Sequence, residues 1–251
     1  MKIVGVIPAR MGSSRFPGKP LVPILGLPMI EHVYKRCALS QRLDEVIVAT
    51  CDDEIRVATE AFGGRAVMTA DTHERASDRV AEMAETVDAD IYVLIQGDEP
   101  LTTPEMIDAA VGPLCNGEDV ACVNLSKRIT SVEDFENIDT IKVVTDLAGN
   151  ALFMSRHPIP SHEKVPFSGI AAYKQVCIIP FTKESLALYG RLAPTPLELA
   201  ESVDMMRFIE HGYKVRMVET DYDSHAVDRP EDVRRVERLL ADDPLLKTYA
   251  Q

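Results

Sequence analysis

The chain lacks the features that would tie it to a membrane, a nucleic acid or an extracellular scaffold. No apolar run approaches the roughly 20 residues that a membrane-spanning helix needs. The N-terminus has no charged region followed by an apolar stretch, so a secretory signal is not expected there. Basic residues are outnumbered, 27 Lys and Arg against 40 Asp and Glu, for a net charge of -13. That balance repels a phosphate backbone and argues against a general nucleic-acid binder. The five cysteines (Cys37, Cys51, Cys115, Cys122 and Cys177) form no CxxC pair. Their spacing speaks against a zinc site or a disulfide framework and predicts reduced thiols in the cytoplasm. There is no internal repeat and no low-complexity tract. No GxGxxG follows the first strand, which disfavours a nicotinamide-dependent dehydrogenase. What remains is a 251-residue globular chain, 46% hydrophobic, with room for one large domain or one domain and a smaller lobe.

The most informative stretch is the first thirty residues. An apolar run over residues 3–7 ends in Pro8-Ala9-Arg10, a small-residue turn follows through Gly12, Ser13 and Arg15, and Pro17-Gly18-Lys19-Pro20 closes the segment. Glycine lets backbone N–H groups approach an anion, serine adds hydroxyl donors, and Arg10, Arg15 and Lys19 add charge. A strand feeding such a loop is suited to holding a phosphate chain, as in the first βα turn of a nucleotide-binding domain. In a chain this acidic, the basic loop is locally conspicuous.

The first half alternates apolar runs and amphipathic stretches. Strands are expected at residues 3–7, 45–49, 66–68 and 91–95, and helices at 28–38, 54–62, 77–87 and 104–114. Strands separated by single helices imply a mostly parallel sheet with helices on both faces. The second half has more strands, at 120–125, 141–145, 151–155, 175–181 and 214–218, with helices at 182–189, 196–211 and 230–240. The fold expected is therefore α/β: a Rossmann-like core of residues 1–119 and 196–251, with a smaller mixed-sheet lobe over 120–195, or one continuous unit. The three prolines of residues 158–167 mark a loop.

Asp98 follows the strand at 91–95 directly, where parallel sheets bind ligands. Mg²⁺ takes one or two carboxylates plus substrate phosphates, and Asp98 fits that use, with Glu99 as the alternative. An aspartate there is also placed to cap the next helix, but Gly97 before it favours a ligand by leaving room. Asp228, before the proline-started helix at 230, faces the same choice between capping and metal binding, and pairs naturally with Asp98. Ser77, Arg79 and Gln96 carry the hydroxyl, guanidinium and amide donors that read a base edge, although a charged surface helix accounts equally for residues 75–79.

Taken together, IPAR…GSSRFPGKPL, QGDEP and the late VDRPED resemble the cytidylyltransferases that activate 3-deoxy-manno-octulosonate (Kdo) with CMP, with the CMP-sialic acid synthetases as more distant relatives. ALFMSR and the PLE…ES…R stretch also look like that branch, and the resemblance spans nearly the whole chain. It implies a sheet of the nucleotide-diphospho-sugar transferase type and a reaction of CTP with a sugar acid, giving the CMP-sugar and pyrophosphate for lipopolysaccharide synthesis. It implies that Pro8, Ala9, Arg10, Ser13, Arg15 and Lys19 hold CTP, that Ser77, Arg79 and Gln96 meet the cytidine, and that Asp98 and Asp228 bind Mg²⁺. Arg10, Lys19 and Asp98 are the implied catalytic residues. Arg156, Gln175, Glu201 and Asp204 are the implied sugar-acid residues, and a homodimer is expected.

The pattern departs in three stretches. The family's SGTER reads RASDR, so Ser77 and Asp78 replace Thr and Glu. In the HLGIYGY-like strand the histidine has become Lys174 or Gln175 and the tyrosine Ile178 or Ile179. The usual Glu-Gln pair reads Asp204-Met205. Because buried polar contacts discriminate strongly, the acceptor is expected to be Kdo or a related acid such as an amino-Kdo, another 2-keto-3-deoxy sugar or a smaller anionic acceptor. The rival readings are a nucleotidyltransferase of the same core acting on another acceptor, and a non-catalytic CTP-binding protein.

Overall fold

The computed structural model describes every residue except Ser14, Ser224 and Gln251. The apolar run at the N-terminus is β1 (Ile3–Ala9), buried along its whole length. Its side chains alternate between two cores: Val4 and Val6 enter one, Ile3 and Ile7 the other. Burial on both faces is why the run shows no polar alternation. A small hairpin, β2 (Pro23–Ile24) and β3 (Leu27–Pro28), leads into α1 (Met29–Cys37). Then come β4 (Glu45–Thr50), α2 (Asp53–Ala61), β5 (Arg65–Met68), α3 (Ala76–Thr86), β6 (Ile91–Ile95) and α4 (Pro104–Cys115). Among these, β5, β4, β1 and β6 lie side by side and parallel. Apolar residues of α1, α2 and α4 fill the core on one face, and those of α3 fill the other.

The second half adds β7 (Cys122–Arg128), α5 (Val132–Glu136), β8 (Lys142–Thr145), β9 (Ala151–Ser155), β10 (Tyr173–Val176), β11 (Ile178–Thr182), α6 (Lys183–Arg191), α7 (Pro196–Glu201), α8 (Met206–Glu210), β12 (Val215–Glu219), α9 (Pro230–Ala241) and α10 (Leu246–Tyr249). Its strands extend the same sheet, in the order β5-β4-β1-β6-β11-β7-β10-β8-β9, with β12 parallel to β7. The sheet is thus parallel on one side of β6 and mixed on the other.

Two elements differ from expectation. The single strand expected over 175–181 is two, broken at Cys177, because the chain changes partner there. β10 pairs with β7 and β8, whereas β11 moves across to pair with β6. The single helix expected over 196–211 is also two. It stops at Glu201 because Ser202 takes a left-handed conformation (φ 54°) and guanidinium groups capture the carbonyls of its last turn. Its start is secured by Glu198, whose Oε2 accepts the Thr195 N–H at 3.2 Å.

A candidate nucleotide site

The loop after β1 is folded on itself by its own hydrogen bonds. The Met11 carbonyl accepts both the Ser13 and Gly18 N–H groups, and the Ser13 hydroxyl accepts from the Phe16 N–H. Gly18 has φ 74°, a conformation that costs glycine little and lets the chain turn into the short 3₁₀ helix Lys19–Leu21. Asp52, just before α2, makes no side-chain capping bond. Its Oδ2 accepts the Met11 N–H at 2.8 Å and ties the loop to the end of β4.

This loop roofs a cavity of about 300 Å³ at the carboxyl ends of β1 and β6. Pro8, Ala9, Arg10, Ser13, Arg15 and Lys19 line one side, and Arg79, Gln96, Asp98 and Asp228 contribute to the rest. Gly97 lines it too, but the space beside its Cα is not open. A Cβ there would sit 3.0 Å from the Pro8 carbonyl and 3.2 Å from Ile7 Cγ2. The glycine therefore allows the ends of β6 and β1 to approach, rather than reserving room for a ligand as its sequence position suggested.

Asp98 and Asp228, 130 positions apart, meet across one ammonium group. Lys19 Nζ lies 2.6 Å from Asp98 Oδ2 and 3.6 Å from Asp228 Oδ1. The Val227 N–H donates to the Asp98 carbonyl at 2.9 Å, which fixes the second segment against the first. Neither aspartate caps a helix. Thr103 caps α4, and Asp232 accepts the Asp228 and Arg229 N–H groups ahead of α9. Arg15 pairs with Asp228 at 2.7 Å and with Asp139 at 3.3 Å. Among the described residues no group of three His, Cys, Asp or Glu side chains is arranged as a metal site. Two carboxylates gathered on one cation suit a divalent ion that completes its shell with phosphate oxygens.

Ser77, Arg156, Gln175, Glu201 and Asp204 do not line this cavity, whereas Arg79 does. Ser77 is fully buried, and both its N–H and its hydroxyl donate to Asp204 Oδ2, at 3.2 and 2.8 Å. Burial raises the Asp204 carboxyl above its usual range, against the opposing effect of those Ser77 bonds. Arg79, 3% exposed, donates to the Thr69 hydroxyl and the Ala70 carbonyl. Gln175 does not reach the cavity and donates its amide to Asn124 Oδ1 at 2.6 Å. Arg156 also stands outside it, with Nε on the Glu201 carbonyl at 2.8 Å, while the Glu201 carboxylate accepts the Arg156 N–H and the Ser155 hydroxyl.

Arg75, His73 and Ala76 line the cavity as well. In the sequence, Arg75 stands in a run of charges that fits a surface helix face. Its guanidinium instead donates to Ser202 Oγ at 2.6 Å and stands 3.9 Å from both Glu198 and Asp204. The available signal was its place just before a helix that starts beyond a strand's carboxyl end. Cys177 is no candidate nucleophile, because burial and the negative charges of Glu99, Asp98 and Asp204 push its thiol well above the usual range.

A cationic loop and two aspartates at the carboxyl edge of a mixed α/β sheet define a nucleotide-handling protein that works on phosphates. The sequence profile of the cytidylyltransferase family matches residues 4–219. The 3-deoxy-manno-octulosonate cytidylyltransferase of Geobacter metallireducens is 44% identical over 96% of this chain and 98% of its own length. That of Solibacter usitatus is 44% identical over 95% of this chain and 94% of its own length. The solved structure of a CMP:2-keto-3-deoxy-manno-octonic acid synthetase complexed with CTP superposes with a TM-score of 0.90 at 37% identity, covering 96% of this chain and 99% of that one. The chain belongs to the cytidylyltransferase family, in its 3-deoxy-manno-octulosonate branch.

Proposed function

We propose that the protein transfers the cytidylyl group of CTP to 3-deoxy-manno-octulosonate, giving the CMP-sugar and pyrophosphate. The observation that carries this reading is identity of 44% along essentially the whole of a curated Kdo cytidylyltransferase, with the cation loop and both aspartates gathered at one cavity. The anomeric hydroxyl of the acceptor attacks the α-phosphorus, the bond to pyrophosphate breaks, and the hydroxyl proton leaves to solvent. Such transfers depend mainly on positioning and charge stabilisation. In this reading Arg10, Arg15 and Lys19 neutralise the triphosphate. Ser77, Arg79 and Gln96 select the cytosine, Ser77 through the Asp204 contact that fixes the start of α3. Arg156 holds the acceptor carboxylate, beside Glu201.

Asp98 and Asp228 fit Mg²⁺, since both carboxylates already converge on a single cation in hydrogen-bonding or ion-pair range. When bound, that ion supplies charge stabilisation at the phosphates. Lys19, which spans the two aspartates, is then free to turn toward the triphosphate. Action as a homodimer in the cytoplasm belongs to the same proposal. It is supported by Leu152, 59% exposed on β9 at the sheet edge, and by free cysteines throughout the chain. No helix among the described residues is long and apolar enough to cross a membrane.

The test is pyrophosphate release from CTP and Mg²⁺ with Kdo, 8-amino-Kdo, a sialic acid and a sugar phosphate offered in turn. Turnover with Kdo is expected. Turnover with another acid alone would assign the changes in the strand region 174–181 and at Asp204 to a rewritten acceptor pocket, and silence with all four would overturn the reading.

A further inference from the structure

Lys142 is a buried cation that the reaction as outlined does not use. It opens β8, is fully buried, and has no carboxylate within ion-pair distance among the described residues. Its ammonium donates to three backbone carbonyls: Asn137 at 2.7 Å, Thr140 at 2.6 Å, and Arg156. An ammonium has three N–H donors, so this set saturates it. Two of the carbonyls belong to the loop before β8, and the third belongs to the residue just beyond β9 that the proposed reaction assigns to the acceptor carboxylate.

The same loop touches both halves of the site. The Ile138 carbonyl accepts from Arg156 Nη1 at 3.2 Å, and the Asp139 carboxylate meets Arg15, which also holds Asp228. Among the described residues the Arg156 guanidinium donates to carbonyls alone, those of Ile138, Glu201 and Ser202, while the Glu201 carboxylate takes its backbone N–H. With no carboxylate in ion-pair range of the guanidinium among the described residues, it can receive an incoming anion without first giving up a carboxylate partner, provided its backbone is fixed.

We propose that Lys142 is a positioning residue of the acceptor site, its ammonium fastening Arg156 to the 137–140 loop and so to the phosphate-side Arg15. The proposal rests on the reading of Arg156 as the carboxylate ligand. A neutral amine has only two N–H donors and turns a lone pair toward the third carbonyl, so loss of the proton releases one anchor. Burial and the nearby Arg156 charge lower the Lys142 pKa to about 8, against the opposing charge of Glu201. The charged groups around it are Arg156 beyond β9, Glu201 of α7, Asp139 in its own loop, and Lys174, its cross-strand neighbour on β10. The ammonium is complete below that pH and is lost above it, so acceptor binding weakens as the pH rises through about 8.

The experiment measures KM for Kdo and for CTP between pH 7 and 9.5 in the wild-type protein and in Lys142→Met and Arg156→Ala. The wild-type acceptor KM should rise about tenfold across this range while the CTP KM changes less than about twofold. Lys142→Met should have a raised acceptor KM already at pH 7 and lose the alkaline rise. A flat wild-type acceptor KM overturns the proposal even if the variant fails to fold, and so does a variant in which the KM values for acceptor and CTP rise equally. Arg156→Ala separates the two readings. An unchanged acceptor KM there removes the Arg156 assignment and the proposal with it, whereas a raised one beside an unaffected Lys142→Met removes Lys142 alone.

Discussion

On the nucleotide side of this protein, charged side chains meet one another directly: Lys19 with Asp98, Arg15 with Asp228. On the proposed acceptor side, Arg156 and Lys142 give their N–H groups to backbone carbonyls. A cation paired with a carboxylate must exchange that partner before it can hold a phosphate. A cation cradled by carbonyls keeps its charge and needs no exchange. The first arrangement is suited to a site that rearranges as triphosphate and metal enter, the second to a preformed anion seat. The ionic network between α3, α7 and α8 joins the two, with Arg207 held by the fully buried Glu198 at 2.7 Å, by Asp78 at 2.8 Å, and over the Tyr189 ring at 4.1 Å.

The largest effect that would break this contrast belongs to Asp98. Asp98→Asn should lower turnover by about 10³-fold with an unchanged melting temperature, since the partly exposed carboxylate contributes to charge placement more than to packing. Undiminished turnover would remove Asp98 from the chemistry. Arg207→Ala tests the junction. It removes the nearer cation of the buried Glu198, leaving Arg75 3.9 Å away, and should cost about 3–5 kcal/mol in denaturant unfolding. A loss under about 1 kcal/mol would mean that water reaches the network. Arg156→Ala should raise the acceptor KM by roughly 10–100-fold and leave that of CTP within about twofold, which a kinetic matrix in both substrates will read. Asp139→Ala should give the smallest change. With Arg15 released from an exposed pair, the CTP KM should fall by at most about threefold at low ionic strength and return at high salt. A rise instead would show that Asp139 orients Arg15 and does not compete for it.

The two sides also differ in how far they could be read beforehand. β1, β4 and β6 announce themselves as continuous apolar runs because helices cover both faces of the sheet there. The neighbourhood of Arg10, Lys19 and Asp98 was legible because Arg10 and Asp98 follow their strands directly, at the edge where parallel sheets take ligands, and Lys19 closes the loop that starts at Arg10. The acceptor side depends on contacts between distant segments. Nothing near Arg75 tells that it will meet Ser202, 127 positions on, and nothing near Lys142 tells that its charge will be buried against the Arg156 carbonyl. The stop in the helix at Ser202 was invisible for a related reason. A left-handed residue is usually announced by glycine, and here a serine is held in it while Arg75 and Arg156 grip the turn from two directions. The break at Cys177 likewise reflects a change of neighbouring strand, which a local pattern of apolar residues does not encode.

The insertion of β11 between β6 and β7 has a consequence for how the molecule is made. A ribosome delivers Ile91–Ile95 long before residues 178–182, which complete its hydrogen bonding on the far side. At ~5–20 residues per second, an uncharged Ile-Tyr-Val-Leu-Ile edge stays open for roughly 4–16 s in every nascent chain. An open apolar edge accepts any extended segment, including the same strand of a chain emerging beside it. Truncated products ending between residues 120 and 177 lack β11 and carry that edge permanently, which exposes them to aggregation when translation stalls.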